Sequence, residues 1–406
     1  MLHIGYYVQQ SAFDKCTQTD INPQTAARKL EGRFVSGYLE NSLQLDLLAF
    51  SPATTFPGNP QVYFPGSTRH GPSGDMIECP VVNLPFLKHL SRFVGSLINI
   101  FRWCRRVPPE GRVLSVYSVH TPFLLSCVLA KLRYGARFFV IVPDLPQFMN
   151  HGRHKNRVTR ALKRIDLAII SHLMSKASGF AVITERTGLR LCEAKPIPFV
   201  VIEAIADIEA FPMPVDSLYP KKVFLYTGGL TTGYGVSDLL IAFEQISAGR
   251  NDIELWLCGR GELVPHIEGL AAENPAIRYL GYLSQDNLNQ IFPDVFCFIN
   301  SRDPDGEFVK YSFPSKLLEY MVTGIPVLTT RLSGVPREYD EYLNFIEGAG
   351  PHCIKVGVEE LLLEDISTLR EKGLGARQFA MSQKTAAVQV GKFLRLIDTK
   401  VEYNVR

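Results

Sequence analysis

The chain has 406 residues, 46% of them hydrophobic and 20% charged, which suits two cored domains and excludes a disordered chain. Its net charge of +3 hides an imbalance: Phe86 to Lys195 carries 19 Lys/Arg against 5 Asp/Glu, an excess of 14. No apolar run reaches the roughly 18 residues a membrane-spanning helix needs, and the N-terminus shows neither a basic leader nor a cleavage site, so no signal peptide is expected.

In chain order, His3–Val8, Leu45–Phe50, Val113–Ser118, Phe138–Val142, Gly179–Ile183 and Phe199–Ile202 read as strands. Between them lie helical patterns over Ala26–Tyr38, Pro122–Tyr134 and Lys155–Lys176. Alternation of this kind predicts a parallel sheet covered on both faces. Within it, Phe93, Leu97, Ile100, Phe101 and Cys104 form one helical stripe, with Arg102, Trp103, Arg105 and Arg106 at its end. That stripe reads as core packing or as a helix on an anionic membrane surface, and the basic run Lys155–Arg164 adds to the second reading. The excess of positive charge predicts an anionic partner. Nucleic acid is not expected, since no binding-module signature appears.

Asp207–Tyr219 holds two prolines, with Pro220 next, and reads as a linker. The alternation then restarts with strands at Lys222–Thr227, Ile253–Cys258, Ile277–Leu280, Val295–Ile299 and Pro326–Thr329. Helices fall at Val236–Ile246, Ser315–Val322 and Gln383–Ile397. The predicted division is residues 1–206, a linker at 207–221, a second domain at 222–382, and a closing helix from 383 that crosses back to the first domain. Ligands of open parallel sheets bind beyond the carboxyl ends of the strands, so site residues are sought there.

Ser315 is expected to cap a helix whose first turn holds Lys316, and a helix start is an anion site. Glu319 shares a face with Lys316, while Leu317, Leu318 and Met321 face the core. A diphosphate on the helix end, with a ribose diol beside it, would use this set. The turns at Gly228 and Gly229, and at Arg260 and Gly261, follow strands. No GxGxxG fingerprint occurs there, so hydride chemistry gains no support.

The segment Tyr311–Leu328 resembles the donor-binding helix of the retaining GT-B glycosyltransferases, specifically glycosyltransferase family 4. The similarity extends to Leu225–Gly235, Leu257–Gly261 and Thr329–Pro336. Val142–Gln147, Ile183–Glu185 and Val201–Asp207 resemble the branch that builds bacterial surface polysaccharides. The resemblance implies two Rossmann-like domains facing a central cleft, a nucleoside diphosphate sugar as donor, and a glycan or lipid-linked acceptor on the first domain. It implies that Glu319 binds the donor ribose and that Lys316 with the helix end holds the diphosphate. Gly228, Gly229, Tyr234, Arg260, Gly261, Tyr311 and Ser315 complete the implied donor site. Asp144 stands where the family often has a sugar-contacting histidine, and otherwise reads as a turn former.

Departures are equally visible. Eight residues before Glu319 the family commonly has a second glutamate; here stands Tyr311. The Arg and Lys that often grip the phosphates are replaced by Gly229 and Tyr234, leaving Lys316 and Arg260 to supply charge. No pair of carboxylates flanks a bond as in a glycosidase, so transfer would rest on stabilising the departing diphosphate and placing the acceptor hydroxyl. No metal or cofactor is expected. Asp303 and Asp305 read as a loop, His120 reads as structural, and the eight scattered cysteines read as free thiols of a reducing cytoplasm. The expected location is cytoplasmic, peripheral at the inner face of the plasma membrane. Two alternatives stay open: a nucleotide-sugar epimerase of the same fold, and a non-catalytic binding subunit.

Overall fold

The architecture is described from a computed structural model covering residues 1–145, 147, 157–208, 211 and 221–399. Two compact units result: Met1–Glu203 together with the chain from Ala386, and Ala204–Thr385. The expected linker at 207–221 lies for the most part outside the described residues, as do 155 and 156 of the basic run.

The first unit holds β1 (Leu2–Gly5), β2 (Asp46–Phe50), β3 (Tyr63–Phe64), β4 (Ser67–Gly71), β5 (Gly74–Cys79), β6 (Val81–Val82), β7 (Val113–Tyr117), β8 (Arg137–Val142), β9 (Gly179–Val182) and β10 (Phe199–Val201). Its helices are α1 (Gln10–Thr17), α2 (Thr25–Glu40), α3 (Leu87–Arg106), α4 (Thr121–Tyr134), α5 (Arg157–Met174) and α6 (Glu185–Cys192). Eight strands form one sheet in the order β10-β9-β8-β7-β1-β2-β5-β4, and β3 pairs with β6 apart from it. Every neighbour in the sheet is parallel except β4 with β5. The central strands are apolar almost throughout because both faces are covered. On β7, Leu114 and Val116 join the core with Ile100, Phe123 and Leu124. Ser115 and Tyr117 point the other way, bonding Tyr38 and the Ala27 carbonyl of α2.

Strand β1 ends three residues before the expected Val8. The cause is Glu31, a fully buried acid on α2. Its carboxylate accepts from the Tyr6 N–H at 2.8 Å and pairs with His3 at 3.2 Å, taking the chain out of the ladder. Gly5 makes room for it, since a Cβ there would lie 1.8 Å from Glu31 Oε1.

The second unit contains β11 (Lys222–Gly229), β12 (Ile253–Arg260), β13 (Ile277–Tyr279), β14 (Val295–Asn300), β15 (Val327–Thr330) and β16 (Asn344–Ile346). Its helices are α7 (Val236–Ser247), α8 (Val264–Glu273), α9 (Gln285–Ile291), α10 (Ser315–Thr323), α11 (Gly350–Leu363) and α12 (Ile366–Gln383). All strands are parallel, in the order β13-β12-β11-β14-β15-β16. This is the doubly wound order, whose direction reverses between β11 and β14. The predicted apolar face of α7 is buried: Val236, Leu239, Leu240, Phe243 and Ile246 all lie in the core.

The helix expected at Gln383–Ile397 is α13 (Ala386–Asp398), which begins three residues later than expected. α12 stops at Gln383, and α13 begins after Lys384 and Thr385. Lys384 is wholly buried, paired with Glu338 and set 4.9 Å from the Tyr339 ring. α13 packs on α2, where Phe393 meets Phe34 edge-on at 6.3 Å. No described helix is long and apolar enough to cross a membrane. All eight cysteines are free, six of them buried.

Replacing Gly5 with Ala displaces the Glu31 carboxylate. We expect a loss of about 1–3 kcal/mol. Urea unfolding followed by Trp103 fluorescence in a Trp256→Phe background measures it in the first unit; an unchanged midpoint contradicts the packing described.

Candidate functional site

The reversal between β11 and β14 marks the place where open parallel sheets hold ligands. Gly228 and Gly229, expected in a turn after the strand, are the last two residues of β11; a short 3-10 turn ending at Tyr234 follows, then Gly235 at the start of α7. Gly235 has φ 73, and a Cβ there would meet the Ser301 carbonyl oxygen at 1.9 Å, so only glycine lets the loops after β11 and β14 come this close at that point. Gly261, after β12, has a similar duty: its Cβ would lie 2.1 Å from the Leu230 carbonyl oxygen. Glu262 holds the loop opposite by accepting from the Thr232 N–H and hydroxyl.

Helix α10 is fixed to the end of β11 by Tyr320. Its buried hydroxyl donates to the Thr227 carbonyl at 2.9 Å and accepts from the Thr227 N–H at 3.0 Å. Its ring stacks on Phe298 of β14 at 4.2 Å. The sequence reading assigned this residue no role, although Tyr320 falls on the apolar side of the helix.

Ser315 does not cap the helix. Pro314, which lacks an N–H, occupies the boundary position, and no side chain caps it. The Ser315 and Lys316 N–H groups have no acceptor among the described residues. An uncapped helix start leaves these donors and the dipole to a ligand. Lys316 lies in this first turn and pairs with Glu319 at 3.2 Å. Burial opposes its charge, but Glu319 and the tyrosines around it raise its pKa above the ordinary lysine value. The ammonium therefore stays protonated.

Arg260, exposed at the end of β12, lies over the Tyr282 ring at 4.3 Å. Tyr282 also favours the charged form of Lys316. Tyr311 ends a 3-10 turn, Glu307–Tyr311, ahead of α10. Asp303 and Asp305 shape an exposed turn in which Asp303 accepts the Asp305 N–H.

One cation was missed. Arg302 lies two residues beyond β14, with its guanidinium 4.7 Å from the Tyr234 ring and 5.3 Å from Phe308. Nη1 donates to Ser312 at 3.3 Å, while the buried Nε has no partner. No carboxylate pairs with it among the described residues. Burial lowers its pKa, a cost partly offset by Tyr234 and Tyr226. Its place just after a strand at the topological reversal was the signal available in the sequence.

Asp144 belongs to the first unit, two residues beyond β8 and exposed; desolvation by the surrounding chain raises its pKa. His120 follows β7 in the same unit and is not isolated: its Nε2 accepts from Arg92 Nη1 at 3.3 Å.

The two parallel α/β sheets and the doubly wound second unit define a GT-B fold, and comparisons with known proteins agree. Residues 221–362 match the family model "Glycosyl transferases group 1". Sucrose-phosphate synthase from Thermosynechococcus elongatus superposes with a TM-score of 0.63 at 14% identity, covering 98% of each chain. The lipopolysaccharide outer core galactosyltransferase WaaB gives 0.61 at 14% identity, again over 98% of each chain. An E. coli trehalose-6-phosphate protein bound with UDP-2-fluoro glucose gives 0.63 at 9% identity, over 97% of this chain and 98% of that one. No curated protein sequence matches the chain significantly. The family match and the fold together support a glycosyltransferase of GT-B type.

Tyr320→Phe removes the shared hydroxyl and leaves both backbone groups of Thr227 without a partner. The expected loss is about 1–3 kcal/mol, read from Trp256 fluorescence in urea with Trp103 replaced by Phe. No change in midpoint contradicts the latch.

Proposed function

We propose that this chain transfers a sugar from a nucleoside diphosphate sugar to a glycan or lipid-linked acceptor, with retention of configuration. The observation that carries the reading is the uncapped start of α10 with Lys316 in its first turn. In this reading the diphosphate takes the Ser315 and Lys316 N–H groups, and Lys316 leaves Glu319 for the phosphates. Glu319 is then free to accept from the ribose diol. Arg302 and Arg260 supply the charge that the family's Arg and Lys commonly give, and Tyr282, 67% exposed, offers a ring face to the base. Gly228 and Gly229 let the backbone approach the phosphates. The similar E. coli structure that carries UDP-2-fluoro glucose supports the donor class.

Transfer at the front face needs the departing diphosphate to be neutralised, and one of its oxygens to take the acceptor proton. Lys316 and Arg302 do the first without a metal or cofactor in the step. Asp144, a residue of the first unit, is the one that contacts a sugar in this reading. Membership of glycosyltransferase family 4 and a role in surface polysaccharide assembly follow from the sequence resemblance.

The reading places the enzyme at the cytoplasmic face of a membrane, with a corrected docking surface. Of the two readings of the α3 stripe, core packing is the one its burial supports: Ile100 and Cys104 are buried, and Phe93, Leu97 and Phe101 are partly covered. Trp103 is buried too, donating to Asp46 at 2.7 Å. Exposed instead are Phe86 just before α3, Leu87, Leu90, Val94 and Ile98 on it, and Leu162, Ile165 and Ile169 on α5. Arg102, Arg105, Arg106, Arg160 and Arg164 are exposed on the same two helices. Apolar side chains among arginines suit an anionic interface.

Lys316→Ala and Glu319→Ala should each weaken nucleoside diphosphate binding tenfold or more, about 1.4 kcal/mol. Calorimetry with unchanged affinity in both variants removes the donor assignment. Leu90→Asp combined with Val94→Asp should abolish flotation with phosphatidylglycerol vesicles; undiminished flotation removes the docking surface.

A further inference from the structure

The first sheet has a reversal of its own. From β1 the chain adds β2 on one side and later β7 on the other, so the carboxyl ends of β1 and β7 frame a second ligand crevice. Around that crevice stand Tyr6 after β1, Ser51 after β2, and His120 after β7. The first turns of α3 bring Lys88, His89 and Arg92 to it.

Lys88 and Arg92 are each only 5% exposed. Arg92 Nη2 donates to the Ser51 carbonyl at 2.6 Å and Nη1 to His120 at 3.3 Å, while the guanidinium lies 4.9 Å from the Tyr6 ring centroid. Its Nε is buried without any partner. Lys88 Nζ donates to the Ala53 carbonyl and, at 3.3 Å, to the Thr55 hydroxyl, which leaves one of its three protons unused. The exposed His89 ring lies 5.4 Å from that of His120.

Among the described residues no carboxylate pairs with any of these four groups. Asp20 and Asp166 favour the charged forms of Lys88 and His89 from a distance but accept their hydrogen bonds from other groups. Asp20 accepts from Thr54, Asn22 and Asn59, and Asp166 accepts from the Thr121 hydroxyl. Burial and the neighbouring Arg92 push Lys88 down to about 7 and hold both histidines below their ordinary value. Two cations four residues apart on one helix repel each other, and buried charge without a counter-ion is costly. A fold carries such a cluster where an anion completes it.

We propose that Lys88, His89, Arg92 and His120 form a phosphate subsite that holds the anionic group of the acceptor. The word acceptor rests on the glycosyltransferase reading; the phosphate site stands on the cluster itself. Arg92 and Lys88 supply the charge from below, and the two imidazoles meet the phosphate oxygens at the surface. Phosphate on a lipid and phosphate on a soluble sugar or polyol offer the same chemistry, and the apolar start of α3 adjoins the site.

The test uses the full chain saturated with a nucleoside diphosphate, so that the start of α10 is already filled. Glycerol 3-phosphate is titrated by calorimetry with glycerol as the control, and vesicles with and without phosphatidic acid are sedimented with the protein. The subsite predicts phosphate-dependent binding that His89→Ala, His120→Gln and Arg92→Met each weaken at least tenfold, with nucleoside diphosphate affinity unaltered. Should Arg92→Met fail to fold, the exposed His89→Ala carries the test alone. Binding of glycerol 3-phosphate marks a soluble source, and binding to phosphatidic acid alone marks a lipid; both uphold the site. Failure of both probes, or equal binding by the variants, overturns it. The donor reading falls separately, if nucleoside diphosphate affinity does not depend on Lys316.

Discussion

One hydroxyl group governs the candidate donor site. Tyr320 shares its oxygen and proton with the two backbone groups of Thr227, so α10 cannot slide along β11 without leaving both unpaired in the core. The stacking of Tyr320 on Phe298 ties the same helix to β14. Thus the helix start is held against the two strands between which the sheet reverses. Everything chemical in the site depends on that fixed position: the free N–H groups, the ammonium of Lys316, and the carboxylate of Glu319 one turn along.

Charge divides the two units by function. In the second, cations that meet the crevice are stacked on aromatic rings or paired: Arg302 on Tyr234, Arg260 on Tyr282, Lys316 with Glu319. Such cations are oriented without a strong ion pair and can turn to phosphate with little loss. In the first unit the cations at the crevice form no ion pair with an acid among the described residues. The positive excess of Phe86 to Lys195 therefore has two parts: an inner cluster at the end of the sheet, and an outer set of arginines on α3 and α5.

Much of this was legible in the sequence. Strands such as Phe138–Val142 are unbroken apolar runs because helices cover both faces, and such runs announce themselves. The helix at Ser315 and its Lys316–Glu319 face were equally plain. Illegible were β4 and β5, whose first partner, Ser67–Gly71, is wholly exposed and carries no apolar alternation. Helical periodicity also misled on α3. Its inward face begins with Lys88, Arg92 and Ser96, polar residues that a hydrophobic pattern assigns to solvent. The stripe left open between core and lipid is core, and the exposed apolar side with Leu90, Val94 and Ile98 was not singled out. Ser315 was misplaced for a local reason: Pro314 already fills the boundary position.

The central claim is that the start of α10 receives a diphosphate. Amide hydrogen exchange, followed with and without a nucleoside diphosphate, tests it most directly. The account predicts slowed exchange at Ser315, Lys316 and Gly229, lost when Lys316 is replaced by Ala. Protection elsewhere in the second unit, with these amides unchanged, would contradict it.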